Sequence, residues 1–365
     1  MIDYIEIRDK SRNFIGVIDS ATSIIWSEEY YGAGTFEIYT ALNDNAKRLL
    51  TIGYFVTKNG SNRAGIIESV EYQDNAQDGA VIIARGRMAK SILDRRLAYS
   101  LTVNTITPQK MSGNVATAAQ SIVNQNAGAN ASANRQLDGL VMGSTGGITK
   151  TITTSGDPTT RQSSYRNLLE FTDSVLEEYE CGSRLRLSGT SLYYDVFEGV
   201  DHTSTSASPV IFSLDFENLL SADYLRDVAN FKNFALIGGE GEGLDRFFAV
   251  YNDSASGYNR REVFVDALSI NRKYEDGDET KEYTNAQYTQ MLQGQAQTEL
   301  KEYIVTEEFS GELAEGQFKY GVDFDIGDLV TVQDNRLGIL ADVRILQVDE
   351  IQDIGGYAVK INFGG

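Results

Sequence analysis

Three short runs of alternating apolar residues occur twice along the chain in the same order. The late copy has them at residues 326–331, 344–349 and 358–361, and the early copy at residues 52–57, 66–71 and 81–84. Each copy opens with Ile-Gly, and a polar turn separates its second and third runs. Alternation of this kind predicts half-buried strands joined by turns. We therefore predict one small β module used twice, although unrelated β meanders share much of this pattern.

Other stretches have apolar residues at helical spacing. Helices are predicted at residues 43–50, 112–127, 163–179 and 285–303. Ser163 or Ser164 is the expected N-cap of the third helix, because serine hydroxyls accept hydrogen bonds from first-turn amides. Further strands are predicted at residues 2–7, 14–18, 184–187, 191–197, 210–214, 231–237, 246–251 and 260–267.

The length of 365 residues is too great for one ordinary domain. We expect a first β-barrel domain at 1–96, an α+β domain at 97–227, a discontinuous second β-barrel at 228–250 and 305–365, and an inserted strand-loop-helix domain at 251–304. The predicted fold class is α+β, mainly β, with two similar small β-barrels per chain.

Composition excludes several classes of protein. No apolar run is long enough to span a membrane, and the first residues alternate like a strand and lack the features of a signal peptide. The net charge is −20, from 32 basic and 52 acidic residues. A surface of that sign repels phosphate and argues against specific nucleic-acid binding. It suits a surface past which DNA slides, although solubility alone also explains the charge.

Candidate catalytic and metal-binding residues are few. His202 lies in a polar loop with Asp201 and Ser204, and catalysis there would need a positioned base and nucleophile. The single cysteine, Cys181, rules out an intramolecular disulfide and is expected to be a buried small side chain. We predict no catalytic residue and no cofactor.

Acidic and glycine-rich turns are the remaining candidates for ligand binding. The best calcium candidates are residues 276–279 and the set Asp323, Asp325 and Asp328, but neither matches an EF-hand loop. We interpret both as solvated acidic turns and predict no metal site. Residues 238–243 are rich in glycine but lack the Lys-Ser/Thr of a phosphate loop, so a hairpin turn is predicted there.

An ordered series of short motifs resembles the siphophage tail-associated, Tal-like baseplate hub and tail-tip proteins. The matching stretches are Ile25-Trp26, residues 30–38, 65–68, 86–87, 92–96, 197–202, 209–213, 217–219, 232–235, 256–257 and 260–262. The series covers nearly the whole chain, and its order makes it more specific than any single motif. The resemblance implies the double-barrel hub fold shared with contractile-tail baseplates.

The resemblance also implies an assembly and a location. In that family three subunits with two barrels each form a homotrimeric, pseudo-sixfold ring under the tail tube. The expected function is a structural baseplate hub that forms part of the channel for DNA ejection. Expected partners are a distal tail or tail-tube protein, the tape measure protein, and other tail-tip or receptor-binding proteins. The chain would be assembled in the host cytoplasm and reside at the tail tip of the virion.

Strand edges are the expected ring contacts, because open edges must be covered or paired. We name Tyr54, Val56, Leu329 and Val330 as candidate ring-interface residues, with Trp26 and Phe36 packed behind the first strand. The alternative function is a tail-tip enzyme or carbohydrate-binding module acting on the host cell envelope, which would need a cleft with convergent acids or an aromatic platform.

Overall fold

A computed structural model describes residues 2–75, 79–102, 105–152, 161–162, 166–276, 279–314 and 316–364. The chain forms two compact units, one containing residues 224–308 and the other containing most of the remaining residues. Strands far outnumber helices, which confirms the predicted fold class, α+β and mainly β. Among the described residues, no helix is both long enough and apolar enough to cross a bilayer.

The N-terminal module is a curved antiparallel sheet around its own apolar core. Its elements are β1 (Ile5–Arg8), β2 (Phe14–Ile18), β3 (Ala21–Glu29), β4 (Thr35–Ala41), α1 (Asp44–Leu49), β5 (Phe55–Lys58), β6 (Ala64–Asn75) and β7 (Gly79–Met88). Alternate strand residues such as Trp26, Ile38 and Ile67 point inward and are fully buried. Helix α1 begins after Asn43, whose side chain accepts a hydrogen bond from the Ala46 amide.

A mixed α+β region follows the 3₁₀ helix Ala89–Arg95. Its elements are β8 (Tyr99–Thr102), β9 (Thr105–Pro108), β10 (Lys110–Met111), β11 (Gly113–Asn114), α2 (Val115–Asn126), β12 (Leu140–Met142), β13 (Thr151–Ile152), β14 (Arg161–Gln162), α3 (Leu168–Glu178), β15 (Gly182–Ser188) and β16 (Ser191–Phe197). The apolar stripes of α2 and α3 pack with β15 and β16 in one core.

The N-cap of α3 differs from the prediction. Asn167 accepts a hydrogen bond from the Glu170 amide at 2.7 Å, so the helix begins at Leu168. The predicted caps Ser163 and Ser164 lie outside the described residues.

Three strands lead from this region toward the insertion: β17 (Asp201–His202), β18 (Ile211–Phe212) and β19 (Leu219–Asp227). The unit at residues 224–308 then contains β20 (Phe234–Gly238), β21 (Phe248–Tyr251), β22 (Glu262–Asp266), β23 (Lys273–Asp276), β24 (Glu279–Glu282) and α4 (Asn285–Leu300). Thr284 and Gln287 form a capping box at the start of α4. The predicted hairpin turn at residues 238–243 is confirmed, since β20 and β21 pair antiparallel.

The C-terminal module contains β25 (Thr306–Leu313), β26 (Leu329–Asp334), β27 (Ile339–Asp353) and β28 (Gly356–Gly364). Strand β19 supplies its outer strand, and β17 and β18 pair in parallel with β26. Its core includes Phe212, Val330 and Ile361.

Two assignments of residues to domains are wrong. Residues 228–250 were expected in the C-terminal module, but β20 and β21 form a separate three-stranded sheet with β22. The reason is that their inward residues, Ala235, Ile237 and Ala249, pack with α4 in a core of their own. Strand β19, expected in the α+β domain, takes the place beside β25.

The two modules repeat one strand order. The N-terminal module runs β3-β4-β7-β6-β5, and the C-terminal module runs β19-β25-β28-β27-β26. In each, the last three strands of the sequence form an antiparallel meander. The predicted use of one β module twice is therefore confirmed. The insertion at residues 228–305 lies where the N-terminal module has the short connection between β3 and β4.

The repeat extends to individual backbone contacts. Strand β6 bulges between Ile67 and Ser69, and β27 bulges at the corresponding place, between Ile345 and Gln347. Before the first meander strand, the Gly53 amide donates to the Ile67 carbonyl at 2.8 Å. The Gly327 amide likewise donates to the Ile345 carbonyl at 2.9 Å.

Glycine begins both meanders for a conformational reason. Gly53 and Gly327 have φ values of +87° and +90°, a region that residues with a Cβ rarely adopt. The Ile-Gly pair read from the sequence thus marks a required backbone turn in both copies.

Across the residues that the structure describes, the two modules join edge to edge in one fourteen-stranded sheet. Its main path is β19-β25-β28-β27-β3-β4-β7-β6-β5-β1-β2. The predicted barrels are therefore two curved parts of a continuous sheet, each with its own core. The contact between them is the pairing of β3 with β27.

Candidate functional site at the junction of the two modules

The junction is an antiparallel ladder between β3 and the second half of β27. Six residue pairs form it, including Trp26 opposite Glu350 and Glu28 opposite Val348. Trp26 and Val348 are fully buried. Trp26 also stacks on Phe36, with ring centroids 5.7 Å apart. The ladder is therefore both a backbone contact and part of two cores.

A buried network of charges lies beside this ladder, which we call the junction network: Glu28, Lys58, Arg63, Tyr320, Asp325 and Glu350. Lys58 bonds Glu350 and lies 3.6 Å from Glu28. Arg63 bonds Glu28 and donates from Nη2 to Asp325 Oδ1 at 2.6 Å. The network thus links strands β3, β5 and β27 to the loops that follow β5 and precede β26.

Two aromatic hydroxyls complete the hydrogen bonds of the network. Tyr320 OH accepts from Arg63 at 2.6 Å and donates to Glu28 at 3.2 Å, while Tyr357 OH donates to Glu350 at 2.7 Å. Trp26 Nε1 donates to Glu28 at 3.1 Å. Each buried charge therefore has a partner, which is the condition under which buried ion pairs are tolerated.

The network shifts the pKa values of its members. Burial alone would raise the pKa of Glu28, but the charges of Arg63 and Lys58 outweigh it and hold that pKa below its usual value. Burial lowers the pKa of the Lys58 ammonium despite the neighbouring Glu28. Burial raises the pKa of the Tyr320 hydroxyl, so it stays protonated and available as a donor.

A cleft of about 810 Å³ opens beside the junction network. Its walls are the turn at residues 59–62, the loop at residues 316–321 and the charged side chains of the network. Tyr320 and Tyr357 also line it. A cleft of this size is typical of ligand sites, but its buried carboxylates are all bonded to Lys58, Arg63 or a tyrosine hydroxyl.

Tyr30 ties the junction to the α+β region. Its hydroxyl donates to the carbonyls of Glu180 and Phe197, at 3.0 and 3.3 Å. Its ring lies against the backbone of Gly182 and Gly327, where an added Cβ would come within 2.4 and 2.3 Å of ring carbons. Only glycine fits at these two positions without displacing the ring.

The four predicted ring-interface residues do not lie at open strand edges. Val56 and Val330 are fully buried in the two module cores, and Tyr54 and Leu329 are partly buried. Strand β5 pairs with both β1 and β6, and β26 pairs with β27 and with β17 and β18. The expectation of free edges at these strands is therefore wrong, because the chain's own strands cover them.

The histidine candidate is held by structural contacts. His202 lies in β17, with Nδ1 2.7 Å from the Ser208 carbonyl and Nε2 3.7 Å from Asp328. Asp201 instead accepts a hydrogen bond from the Thr203 amide. The residues near His202 in sequence therefore do not form a nucleophile–base–acid set.

Cys181, Asp325 and Asp328 also have structural roles, whereas residues 277–278 of the other acidic candidate lie outside the described residues. Cys181 is buried, as predicted, and burial raises the pKa of its thiol to about 11. Asp325 bonds Arg63, and Asp328 accepts hydrogen bonds from the amides of Val200 and Asp325. Within the described part of the chain, no group of three or more His, Cys, Asp or Glu residues is placed to hold a metal.

Sequence reasoning missed the junction network. One signal for it was present: Ile24, Trp26 and Glu28 alternate on one face of β3, so Glu28 occupies an inward position in an apolar pattern. Lys58, Arg63 and Asp325 lie at strand ends and in loops, where charged residues are ordinary.

Comparison with known proteins gives a consistent result. The sequence family described as Siphovirus ReqiPepy6 Gp37-like protein matches residues 4–365. No curated protein matches the chain.

Several solved structures share the fold. The tail protein from Neisseria meningitidis MC58 has a TM-score of 0.58 at 14% identity, over 99% of this chain and 96% of that one. The 43 kDa tail protein of prophage MuSo2 from Shewanella oneidensis has a TM-score of 0.58 at 13% identity, over 99% and 98%. Prophage tail protein gp18 from Listeria monocytogenes EGD-e has a TM-score of 0.50 at 14% identity, over 98% and 94%.

Proposed function

The chain belongs to the family of Siphovirus ReqiPepy6 Gp37-like proteins, and from that premise we propose that it is a structural hub at the tip of a phage tail. The similarity of fold to three tail proteins, two of them from prophages, over almost their whole length supports this proposal. The hub would belong to the virion and be assembled in the host cytoplasm.

The observation that carries the proposal is the duplicated module. Three copies of a chain with two like modules present six similar positions around a threefold axis. Such a homotrimer matches a sixfold tail tube through repeated contacts, because closed symmetry requires matching surfaces. The ring would surround part of the DNA channel and contact a distal tail or tail-tube protein, the tape measure protein and receptor-binding proteins.

A non-enzymatic role fits the chemistry of the cleft. Hydrolysis of a glycan needs one carboxyl group that donates a proton and a second that acts as base or nucleophile. Here Glu28 and Glu350 are bonded to Lys58, Arg63 or aromatic donors. We therefore favour the scaffold over the alternative of an envelope enzyme or carbohydrate-binding module.

Sedimentation of the purified chain at several concentrations tests the ring. The expected species is a homotrimer, and a persistent dimer or tetramer would overturn the proposal. Incubation with purified cell walls tests the alternative, since a hub releases no soluble fragments. Antibody labelling of virions viewed by electron microscopy tests the location, which is expected to be the tail tip.

A further inference from the structure

Strand β27 has two different partners along one edge. Its first half pairs with β26, from Leu329 opposite Arg344 to Asp334 opposite Ile339. After the bulge its second half pairs with β3, from Gln347 opposite Glu29 to Gln352 opposite Ile24. The whole edge of this strand is therefore covered inside the chain.

Strand β6 holds the same position in the N-terminal module but lacks the second partner. Its first half pairs with β5, at residues 64–66. After the equivalent bulge, residues 69–74 pair with β7, and among the described residues no strand covers their other edge. The matched bulges make Val70 the counterpart of Val348, and Tyr72 that of Glu350. Glu350 is 7% exposed, whereas Tyr72 is 58% exposed.

Strand β19 is the counterpart of β3, and its outer edge is also free in the described chain. It ends the main path of the sheet, with β25 as its neighbour. Leu220 on this strand is 64% exposed, while its neighbour Leu219 is buried in the C-terminal core. Unpaired strand edges with exposed apolar side chains favour pairing with another chain.

We propose that residues 219–223 of β19 in one copy pair antiparallel with residues 69–74 of β6 in the next copy. This contact repeats between chains the ladder that β3 and β27 form within one chain. The proposal rests on the ring proposed above and identifies its contact surfaces. Each copy carries one surface of each kind, so the contact is head-to-tail and a closed ring leaves neither surface free.

The direction of peptide groups identifies the residues of β6 that would make the hydrogen bonds. At the internal ladder, the Tyr30 amide donates to the Leu346 carbonyl at 2.8 Å. Alternate residues of an antiparallel strand direct their peptide groups to the same side, so Val348 and Glu350 face β3. Their counterparts Val70 and Tyr72 therefore direct their amides to the free edge of β6.

Proline can remove such an amide without breaking the β6–β7 ladder, because proline is tolerated at strand edges. The first variant is Tyr72→Pro, and its matched control is Tyr72→Thr, which keeps the amide and a strand-forming side chain. The second variant is Leu220→Pro or Ser221→Pro, whichever keeps the wild-type unfolding transition. Successive residues direct their amides to opposite edges, so one of the two faces outward.

Mixing the two variants separates a head-to-tail contact from any other. Each proline variant alone is expected to sediment as a monomer, while Tyr72→Thr forms the wild-type trimer. A 1:1 mixture is expected to form heterodimers, in which β19 of the Tyr72→Pro variant pairs with β6 of the other variant. Assembly stops at the dimer because both remaining surfaces carry a proline. Trimers or larger species from both proline variants alone, or a homodimer from either, would overturn the proposed contact.

Hydrogen exchange of the unmodified protein gives a second readout that needs no variant. The outward-facing amides of β6, those of Val70 and Tyr72, and the outward-facing half of the amides at residues 219–223 are expected to become protected as protein concentration rises into the trimer range. A wild-type trimer without this protection would overturn the strand contact and leave the ring proposal standing. A wild-type chain that stays monomeric at every concentration would instead overturn the ring itself.

Discussion

Arg63 and Asp325 join the two halves of the duplicated sheet, with Arg63 Nη2 2.6 Å from Asp325 Oδ1. Arg63 follows strand β5 of the N-terminal module, and Asp325 precedes β26 of the C-terminal module. The same guanidinium bonds Glu28 on β3. One side chain therefore bridges the two repeats beside the ladder that joins them.

Loss of this bridge is expected to destabilise the fold strongly. Arg63→Met removes the guanidinium that bonds the buried Glu28 and leaves this carboxylate only Lys58 as a cation, at 3.6 Å. Removing one partner of a buried pair costs about 3 kcal/mol or more. Urea unfolding at one fixed protein concentration measures this, with the fluorescence of Trp26, the only tryptophan, as the probe. The control is Arg85→Met, because Arg85 bonds the partly exposed Glu37 and the exposed Glu71. Its expected cost is under about 1 kcal/mol, and equal costs would contradict the prediction.

The two repeat-opening glycines are expected to differ in their tolerance of alanine. Both have positive φ, so each substitution should cost about 1–2 kcal/mol from backbone strain. At Gly327 the added Cβ would also come within 2.3 Å of the Tyr30 ring, whereas at Gly53 the nearest atom is Lys10 Cε at 3.1 Å. Gly327→Ala should therefore lose clearly more stability than Gly53→Ala in chemical unfolding. An equal loss would show that Tyr30 moves aside at little cost.

Acid is expected to weaken the junction through Glu28. Its pKa in the folded protein is below the ordinary value of 4.5, because Arg63 and Lys58 outweigh burial. The unfolded chain therefore binds the proton more tightly, and the free energy of unfolding falls as pH drops through this range. Glu28→Gln should flatten the dependence of stability on pH below 4.5.

Asp173 supplies a control of opposite sign for the acid prediction. Burial raises the pKa of Asp173 despite the nearby Lys90. The folded protein therefore binds this proton more tightly than the unfolded chain, and ionisation of Asp173 lowers the free energy of unfolding as pH rises. Asp173→Asn should therefore steepen the rise that Glu28→Gln flattens. Unfolding curves at a series of acidic pH values measure both slopes, and slopes that change in the same direction for both variants would contradict this account.

The surface facing the proposed channel is expected to be acidic or polar. The net charge of −20 predicts no binding of duplex DNA at physiological salt, because like charges repel. Fluorescence anisotropy with labelled DNA checks this. Salt-sensitive binding would indicate a basic lumen and contradict the prediction.

The sequence predicted the features of this fold that depend on local pattern. The Ile-Gly turns, the meanders and the helices follow from spacing and conformational preference within a few residues. Residues 219–227 were assigned to the α+β domain and no strand was predicted there, because β25, the partner of β19, follows the long insertion and no local pattern identifies a partner at that distance. Strands β20 and β21 were assigned to the wrong module for the same reason. Their packing on α4 is a tertiary contact that local sequence pattern does not determine.

The candidate site was harder to predict than the fold. Ring contacts were expected at the edges of β5 and β26, but the N-terminal strand β1 and the short strands β17 and β18 cover those edges. The junction network depends on charged residues from distant parts of the chain, and of these only Glu28 and Glu350 lie at buried positions within a strand that otherwise carry apolar residues. Both the covered strand edges and the junction network depend on pairing between distant parts of the chain, which the local spacing of apolar residues does not encode.

The insertion is expected to give the two modules different folding kinetics. In the N-terminal module, β3 and β4 are joined by residues 30–34, whereas their counterparts β19 and β25 are separated by residues 228–305. Closing the longer connection as flexible chain costs about 2 kcal/mol more entropy, and non-local contacts form late. The N-terminal module should therefore form first and present β3 as a ready edge on which β27 completes the second repeat.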